Sequence, residues 1–228
     1  AISGYYILVN PAACDNLCSN VNENSAVDVK FNQTLTQTFD DFTSEEELKK
    51  AYELYIRAAE RNDPAALFNL GLMYSNGYYV PIDKQKAIEY YKRSSDLGNP
   101  KAQFNLGLMY FKGDGVSEDK AEAARLYEAS ASHGNCKAQS NLGYMYSRGD
   151  GVEVDYKKAV DYYERAVEQN DSDAQLNLGL MYQLGQGVPI DKEKTVDLYT
   201  KSAENGNPKA QFNLAVLYQN GEKGVIEK

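Results

Sequence analysis

Ala102-Gln103-Phe104-Asn105-Leu106-Gly107-Leu108-Met109-Tyr110 decides the fold, because the chain carries this stretch or a close variant of it five times at one spacing of 36 residues. Asn-Leu-Gly stands at 69–71, 105–107, 141–143 and 177–179, and a fifth copy reads Asn213-Leu214-Ala215. A fixed period means that no single unit buries its own apolar face, so stacked neighbours must build the core between them. Each period contains two helical patterns. Asp63-Pro64, Asn99-Pro100, Asn135-Cys136, Asp171-Ser172 and Asn207-Pro208 open the first helix, where Asp or Asn caps free amides and proline fits the first helical position. Gly77, Gly113, Gly149, Gly185 or Gly221 ends it thirteen residues later, since glycine tolerates the left-handed conformation that closes a helix. After a short loop, fullest as Gly113-Asp114-Gly115-Val116, Asp83, Asp119, Asp155 or Asp191 caps a second helix that runs to Gly98, Gly134, Asn170 or Gly206.

The apolar residues fall into columns. In the first helix Ala66, Leu70, Met73 and Tyr74 lie at helical spacing with equivalents one, two and three periods on; in the second, Ala87 and Tyr91 recur as Ala123 and Tyr127, Ala159 and Tyr163, and Thr195 and Tyr199. Ten of the 19 tyrosines form two ladders, Tyr74 to Tyr218 and Tyr55 to Tyr199. They are expected in the core with the hydroxyl at the edge finding a partner, rather than as a cofactor box. A capping box at Ser44-Glu45-Glu46-Glu47 starts the helix that carries Ala51 and Tyr55 and stands in for the second helix of an incomplete first repeat.

These residues resemble the Sel-one-like repeat, a relative of the tetratricopeptide repeat, over about residues 47 to 225. The resemblance implies an all-α fold, a right-handed α/α solenoid or superhelix of helix-turn-helix units. The expected organisation is a non-repeat segment 1–43 followed by the solenoid 44–228, divided as a half repeat 44–63, repeats 64–99, 100–135, 136–171 and 172–207, and a partial repeat 208–228. Departures are small: Tyr79 and Lys223 replace the loop's second glycine, Thr195 replaces the small alanine, and the last loop carries one extra residue. The array is read as cut from a longer protein or capped by its fifth first helix.

Composition narrows the function. A net charge of −9 and a pI near 4.8 repel phosphate backbones and anionic headgroups, so no nucleic-acid partner is expected and membrane surfaces are poor candidates. The longest apolar run, Tyr5-Tyr6-Ile7-Leu8-Val9, is far short of a membrane span. Residue 1 is alanine, as in a processed or trimmed chain. Cys14 and Cys18 stand close enough to bridge in an oxidising compartment or to remain free thiols, and Asn32-Gln33-Thr34 and Asn170-Asp171-Ser172 match the glycosylation pattern. These features lean toward an extracytoplasmic setting, the endoplasmic-reticulum lumen or secretion, without fixing the compartment. The single histidine, His133, sits at a helix end and reads as an exposed residue favoured by the dipole. One histidine and three cysteines assemble no nucleophile-base pair and no zinc set. The Gly-x-Gly loops follow helices and lack a P-loop lysine, so neither catalysis nor a cofactor or metal is expected.

The remaining candidate is the face of the first helix turned from the core columns, at positions 65, 68, 72, 75 and 76 with 69 at its flank. It carries Phe68, Phe104, Ser140, Leu176 and Phe212; Leu72, Leu108, Tyr144, Leu180 and Val216; and the column Asn69, Asn105, Asn141, Asn177 and Asn213. In tetratricopeptide-type solenoids the first helices line the concave surface. The residues expected to touch a partner there are the five asparagines with Phe68, Phe104, Phe212, Leu108 and Tyr144. Alternatively, asparagine ties one repeat's backbone to the next. The function expected is a non-catalytic scaffold or adaptor that binds another protein or peptide. Replacing Asn105, Asn141 and Asn177 with alanine is then expected to abolish binding with helicity intact. The rivals are a self-associating fragment, pairing through repeat ends within a larger membrane-linked degradation or cell-wall regulatory complex, and a hydrolase. The resemblance adds settings: a substrate-recruiting subunit of endoplasmic-reticulum-associated degradation, regulators of fungal chitin synthesis, and secreted bacterial proteins that engage hosts. Some cysteine-rich relatives were proposed to act on cell-wall or penicillin-type substrates, but their paired cysteines are missing here.

Overall fold

In the computed structural model of this chain, residues 44–219 are described. Among them are ten helices and no strand: α1 (Glu45–Ala59), α2 (Pro64–Asn76), α3 (Lys84–Asp96), α4 (Pro100–Lys112), α5 (Lys120–Ser132), α6 (Cys136–Arg148), α7 (Tyr156–Val167), α8 (Ser172–Leu184), α9 (Lys192–Glu204) and α10 (Pro208–Gln219). The architecture is the all-α solenoid expected. It divides into two compact units between His133 and Gly134, with α1 to α5 in the first and α6 to α10 in the second. The Cys14–Cys18 alternatives, the Asn32 glycosylation pattern, the 1–43 segment and the last loop from Gly221 lie outside the described residues.

The helix ends form where the punctuation requires. Ser44 accepts from the Glu47 amide at 3.2 Å, and Asp63, Asn135 and Asp171 accept from the amides of Ala66, Ala138 and Ala174 at 2.8 to 3.0 Å. Second helices start in the same way at Asp83, Asp119, Asp155 and Asp191. These contacts satisfy donors that the helix itself leaves open. Gly113 is left-handed with φ 67°, and its amide and that of Asp114 return to the Met109 carbonyl. The Asp119 amide then bonds the Tyr110 carbonyl at 3.0 Å, as Asp83 does to Tyr74, Asp155 to Tyr146 and Asp191 to Tyr182. The capping residue of each second helix is thus also the clasp of the loop before it, which explains why these four loops share one length. Tyr79, in the place of Gly115, takes the same left-handed conformation with φ 65°, unusual for an aromatic residue.

Packing follows from a pairing of glycine with tyrosine. A Cβ added at Gly71 would lie 2.5 Å from the Tyr91 ring; at Gly107, 2.9 Å from Tyr127; at Gly143, 2.6 Å from Tyr163; and at Gly179, 2.8 Å from Tyr199. Each first helix therefore rests its backbone on the tyrosine of its own second helix, and all four rings are buried. Stacking of successive repeats buries the rest. Ala51, Tyr55 and Ala58 of α1 join Ala66, Leu70 and Met73 of α2 in one cluster, and Ala87 and Tyr91 of α3 join Ala102, Leu106 and Met109 of α4 in the next. In the second unit Leu176, Tyr199, Ala210 and Leu217 bring α8, α9 and α10 together. The core columns thus lie where periodicity puts them. His133 is exposed and closes α5, with its Nδ1 2.9 Å from the Ala129 carbonyl oxygen. No helix among the described residues is long and apolar enough to cross a membrane.

Candidate partner-binding face

Tyr91 is where the candidate face is built in the first unit. Its ring lies 5.9 Å from that of Phe68 on α2, and its hydroxyl accepts from the Asn105 amide of α4 at 3.3 Å. Burial pushes the Tyr91 hydroxyl well above the ordinary tyrosine range, while its hydrogen bonds to Asn105 and to Ser75 of α2 act in the opposite direction. Three helices converge on this one phenol. Phe68 and Leu72 pack on the cluster formed by Tyr91, Leu106 and Met109, and both remain half-exposed, as do Asn105 and Leu108. This is a short apolar strip with an amide at its edge. Asn105 spends one donor on Tyr91, out of an amide's capacity of two donated and two accepted bonds.

The other residues of the expected face are placed differently. Asn69 and Phe104 are buried, with the Phe104 ring 5.6 Å from Tyr127. In the second unit Asn141 and Asn177 are both 0% exposed, and Ser140 and Leu176 are buried with them. Tyr144 and Asn213 are half-buried, and Phe212 is 68% exposed. The expectation of an open asparagine ladder is therefore corrected at Asn69, Asn141 and Asn177, and that of an open Phe104 is corrected as well. The reason is geometric: the asparagine stands at the flank of the face rather than at its centre, and packing encloses that flank at these three positions. Asn105 shows what such a flank position serves, a tie to the preceding repeat between residues 14 apart in sequence. The tie reaches a side chain, where a backbone group was the alternative considered. Replacing Asn105, Asn141 and Asn177 together would remove internal packing as well as any contact, so it cannot isolate binding.

Sequence reasoning also passed over three sets of ties. Ser94, Ser130 and Ser202, all fully buried, donate to the carbonyls of Pro64, Pro100 and Ser172 at 2.6 to 2.7 Å, joining the end of each second helix to the start of its own first helix. Ala166 occupies this place in the remaining repeat, buried and without a hydroxyl. Glutamines at 103, 139, 175 and 211 supply the second set: Gln103 and Gln211 donate across a repeat joint to the Ser95 and Ala203 carbonyls, while Gln139 and Gln175 accept from Gln169 and Asn205 within their own repeats. The signal for both was present as polar residues at the 36-residue spacing, hidden among exposed serines and glutamines. The third is an ion pair between Lys137 on α6 and Asp171, 3.3 Å apart, with side chains only 9% and 0% exposed. Asp171 also caps α8 through Ala174. Nearby Asp173 accepts from Asn207 at 2.8 Å, and burial raises its carboxyl above the usual value, with the Asp171 charge adding to the rise.

Among the described residues no group of three or more His, Cys, Asp or Glu side chains is arranged to hold a metal ion. Cys136 is buried.

Comparison with known proteins identifies similar chains. The structure of a protective antigen present in uropathogenic Escherichia coli strains, displaying an SLR fold, is 37% identical with a TM-score of 0.72; the match covers 78% of this chain and 38% of that one. This chain therefore spans well under half of that antigen's length. A Sel1 repeat protein from Oxalobacter formigenes is likewise 37% identical with a TM-score of 0.72, covering 78% of this chain and 73% of that one. An immunity protein from Pseudomonas aeruginosa, 24% identical with a TM-score of 0.52 over 84% of this chain and 70% of that one, shares the fold. No curated protein matches the chain. The model of the Sel1 repeat matches at residues 45–63, 64–99, 100–135, 136–171, 172–207 and 208–228, and the chain belongs to the Sel1 repeat family.

Proposed function

We propose that this chain is a non-catalytic scaffold or adaptor that holds an extended segment of another protein on the first-helix face of residues 44–133. Repeats of this family commonly mediate protein–protein interaction and are in general non-catalytic scaffolds. The observation that carries the reading is the strip formed by Phe68, Leu72, Asn105 and Leu108, apolar and half-exposed on helices whose ends are capped and whose backs are packed. A rigid strip spends little ordering entropy on binding, so modest contacts sum to useful affinity. Each amide bond contributes about 0.5 to 1.5 kcal/mol net. Covering the open half of Phe68, Leu72 and Leu108 adds about 1 kcal/mol each. The sum, about 4 kcal/mol, corresponds to binding on the order of millimolar.

The test is selection from a displayed library of random peptides. Selected sequences should bind the wild type and weaken about tenfold or more with Leu108→Glu, while Glu89→Ala on the second helix α3 leaves affinity unchanged. Peptides that bind Leu108→Glu as well as the wild type would remove this face from consideration.

A further inference from the structure

On α4 the strip runs out at both ends into positive charge. Lys101, Asn105, Leu108 and Lys112 follow one another at three or four residues and fall within about 60° around the helix, so they make one stripe along its whole length. Both lysines are exposed, and the asparagine and leucine between them are half-exposed. Among the described residues neither lysine joins an ion pair. Lys50, Lys84, Lys86 and Arg125 of the same unit are instead held by Glu46, Asp114, Asp83 and Glu122 at 2.6 to 3.8 Å. Neither α2 nor α4 contains an acidic residue.

The same register is occupied differently on the neighbouring first helices. On α2 it reads Ala65, Asn69, Leu72 and Asn76, without charge. On α6 it reads Lys137, Asn141, Tyr144 and Arg148, but Lys137 is enclosed against Asp171 and Asn141 is wholly buried. On α8 it begins with Asp173 and ends with Leu184, and Asn177 and Leu180 between them are buried. Of these four helices, α4 is the one with an exposed cation at each end of an open centre. The net charge of −9 repels a long polyanion, yet beyond about 8 Å that repulsion is screened at physiological salt. A short acidic cluster therefore answers mainly to the two lysines beside it.

We propose that the occupant of the strip is an extended acidic segment of another protein, laid along α4 with one carboxylate at Lys101 and a second at Lys112. The proposal rests on the strip being the partner site and names the chemistry of what it holds. Eleven residues of helix separate the lysines by about 16 Å, which an extended chain covers in about five residues. The segment thus carries two acidic residues about five apart with an apolar run between them, which covers Leu108 and Leu72 while a backbone amide meets Asn105. An exposed ion pair tightens binding by up to about fivefold. Two of them, one at each end, also fix the register of the segment on the helix.

The test uses three blocked eight-residue peptides, identical and leucine-bearing at the centre, with aspartate, asparagine or lysine at their second and seventh positions. Each is titrated into the isotope-labelled 228-residue chain, and amide shifts on α2 and α4 are read. The aspartate peptide is expected to bind about two- to twentyfold more tightly than the asparagine one, with the ratio falling toward one in about 0.5 M salt. Lys101→Glu with Lys112→Glu should invert the order in favour of the lysine peptide. Lys101→Gln with Lys112→Gln, which places no carboxylate at the end of α4, should bring the ratio near one and serves if the reversed variant folds poorly. A wild-type ratio near one, or a preference for the lysine peptide, overturns the acidic occupant; if Leu108→Glu still removes the binding, the strip itself stands. Peptide binding indifferent to Leu108→Glu overturns the strip and the proposal together.

Discussion

Gly143→Ala should destabilise the protein although it replaces a mid-helix glycine with the best helix former. The added Cβ falls 2.6 Å from Cδ1 and Cε1 of Tyr163 and 2.9 Å from Cγ. Ordinary contact starts near 3.4 Å, so the ring must retreat by about 0.8 Å, and Tyr163 and the neighbouring Ala159 are fully buried in an interior packed to crystal density. Overpacking of this size costs about 1 to 3 kcal/mol. The helix-propensity gain returns about 1 kcal/mol, leaving a net loss of up to about 2 kcal/mol. For a chain of this size that lowers the melting midpoint by about 2 to 4 °C for each kcal/mol. Because repeat arrays can lose two-state cooperativity, midpoints of guanidinium unfolding followed by circular dichroism are the quantity to compare. The reverse exchange supplies a control: Ala215→Gly meets no ring and should lose about 0.5 to 1 kcal/mol from propensity alone. The same two residues, exchanged in opposite directions at equivalent positions, should both weaken the fold. A raised midpoint for Gly143→Ala would refute the claim that the glycine column exists to seat the tyrosines.

Ser130→Ala should cost about 0.5 to 1.5 kcal/mol, because it removes the 2.7 Å bond from the buried Ser130 hydroxyl to the Pro100 carbonyl. The complementary Ala166→Ser should gain up to about 1 kcal/mol by supplying the Cys136 carbonyl with the donor its equivalents have; thermal midpoints read both. Lys137→Met should cost about 3 kcal/mol by leaving the Asp171 carboxylate buried without its cation, measured by guanidinium unfolding. Asp173→Asn should flatten the dependence of stability on pH. The raised folded-state value means that the folded chain holds this proton more tightly than the unfolded one, so its contribution is full below the ordinary value of 3.8 and lost as pH rises through the raised one. Relative to the variant, the wild type should lose stability as pH climbs from about 4 toward neutrality, seen in thermal midpoints across that range.

How much of this was legible beforehand depends on what each column answers to. Leu70, Gly71, Met73 and Tyr91 were readable because stacking imposes a periodic, apolar requirement, and a period of 36 residues repeated five times leaves little room for another fold. The caps were readable because Asp and Asn before a helix have a local cause. The asparagine column was periodic for the same reason as the core, and its polarity made it look like a surface. Only side-chain direction separates Asn177, wholly enclosed, from Asn105, which reaches Tyr91 and stays half-open. That direction depends on how neighbouring helices cross, which a sequence pattern does not carry. Ser94, Ser130 and Ser202 were missed for a related reason: a buried serine serving a carbonyl one helix away leaves no apolar signature, so its spacing had to be read against a composition in which serine is common.

The central claim is that the strip around Phe68, Leu72, Asn105 and Leu108 is where a partner segment lies. Amide chemical-shift mapping, with a library-selected peptide added to the isotope-labelled chain, tests it most directly. The account predicts that the largest shifts cluster on α2 and α4 at these four residues and that Leu108→Glu abolishes them. Shifts confined instead to the exposed loop residues Ile82 and Ile190, with α2 and α4 silent, would contradict it.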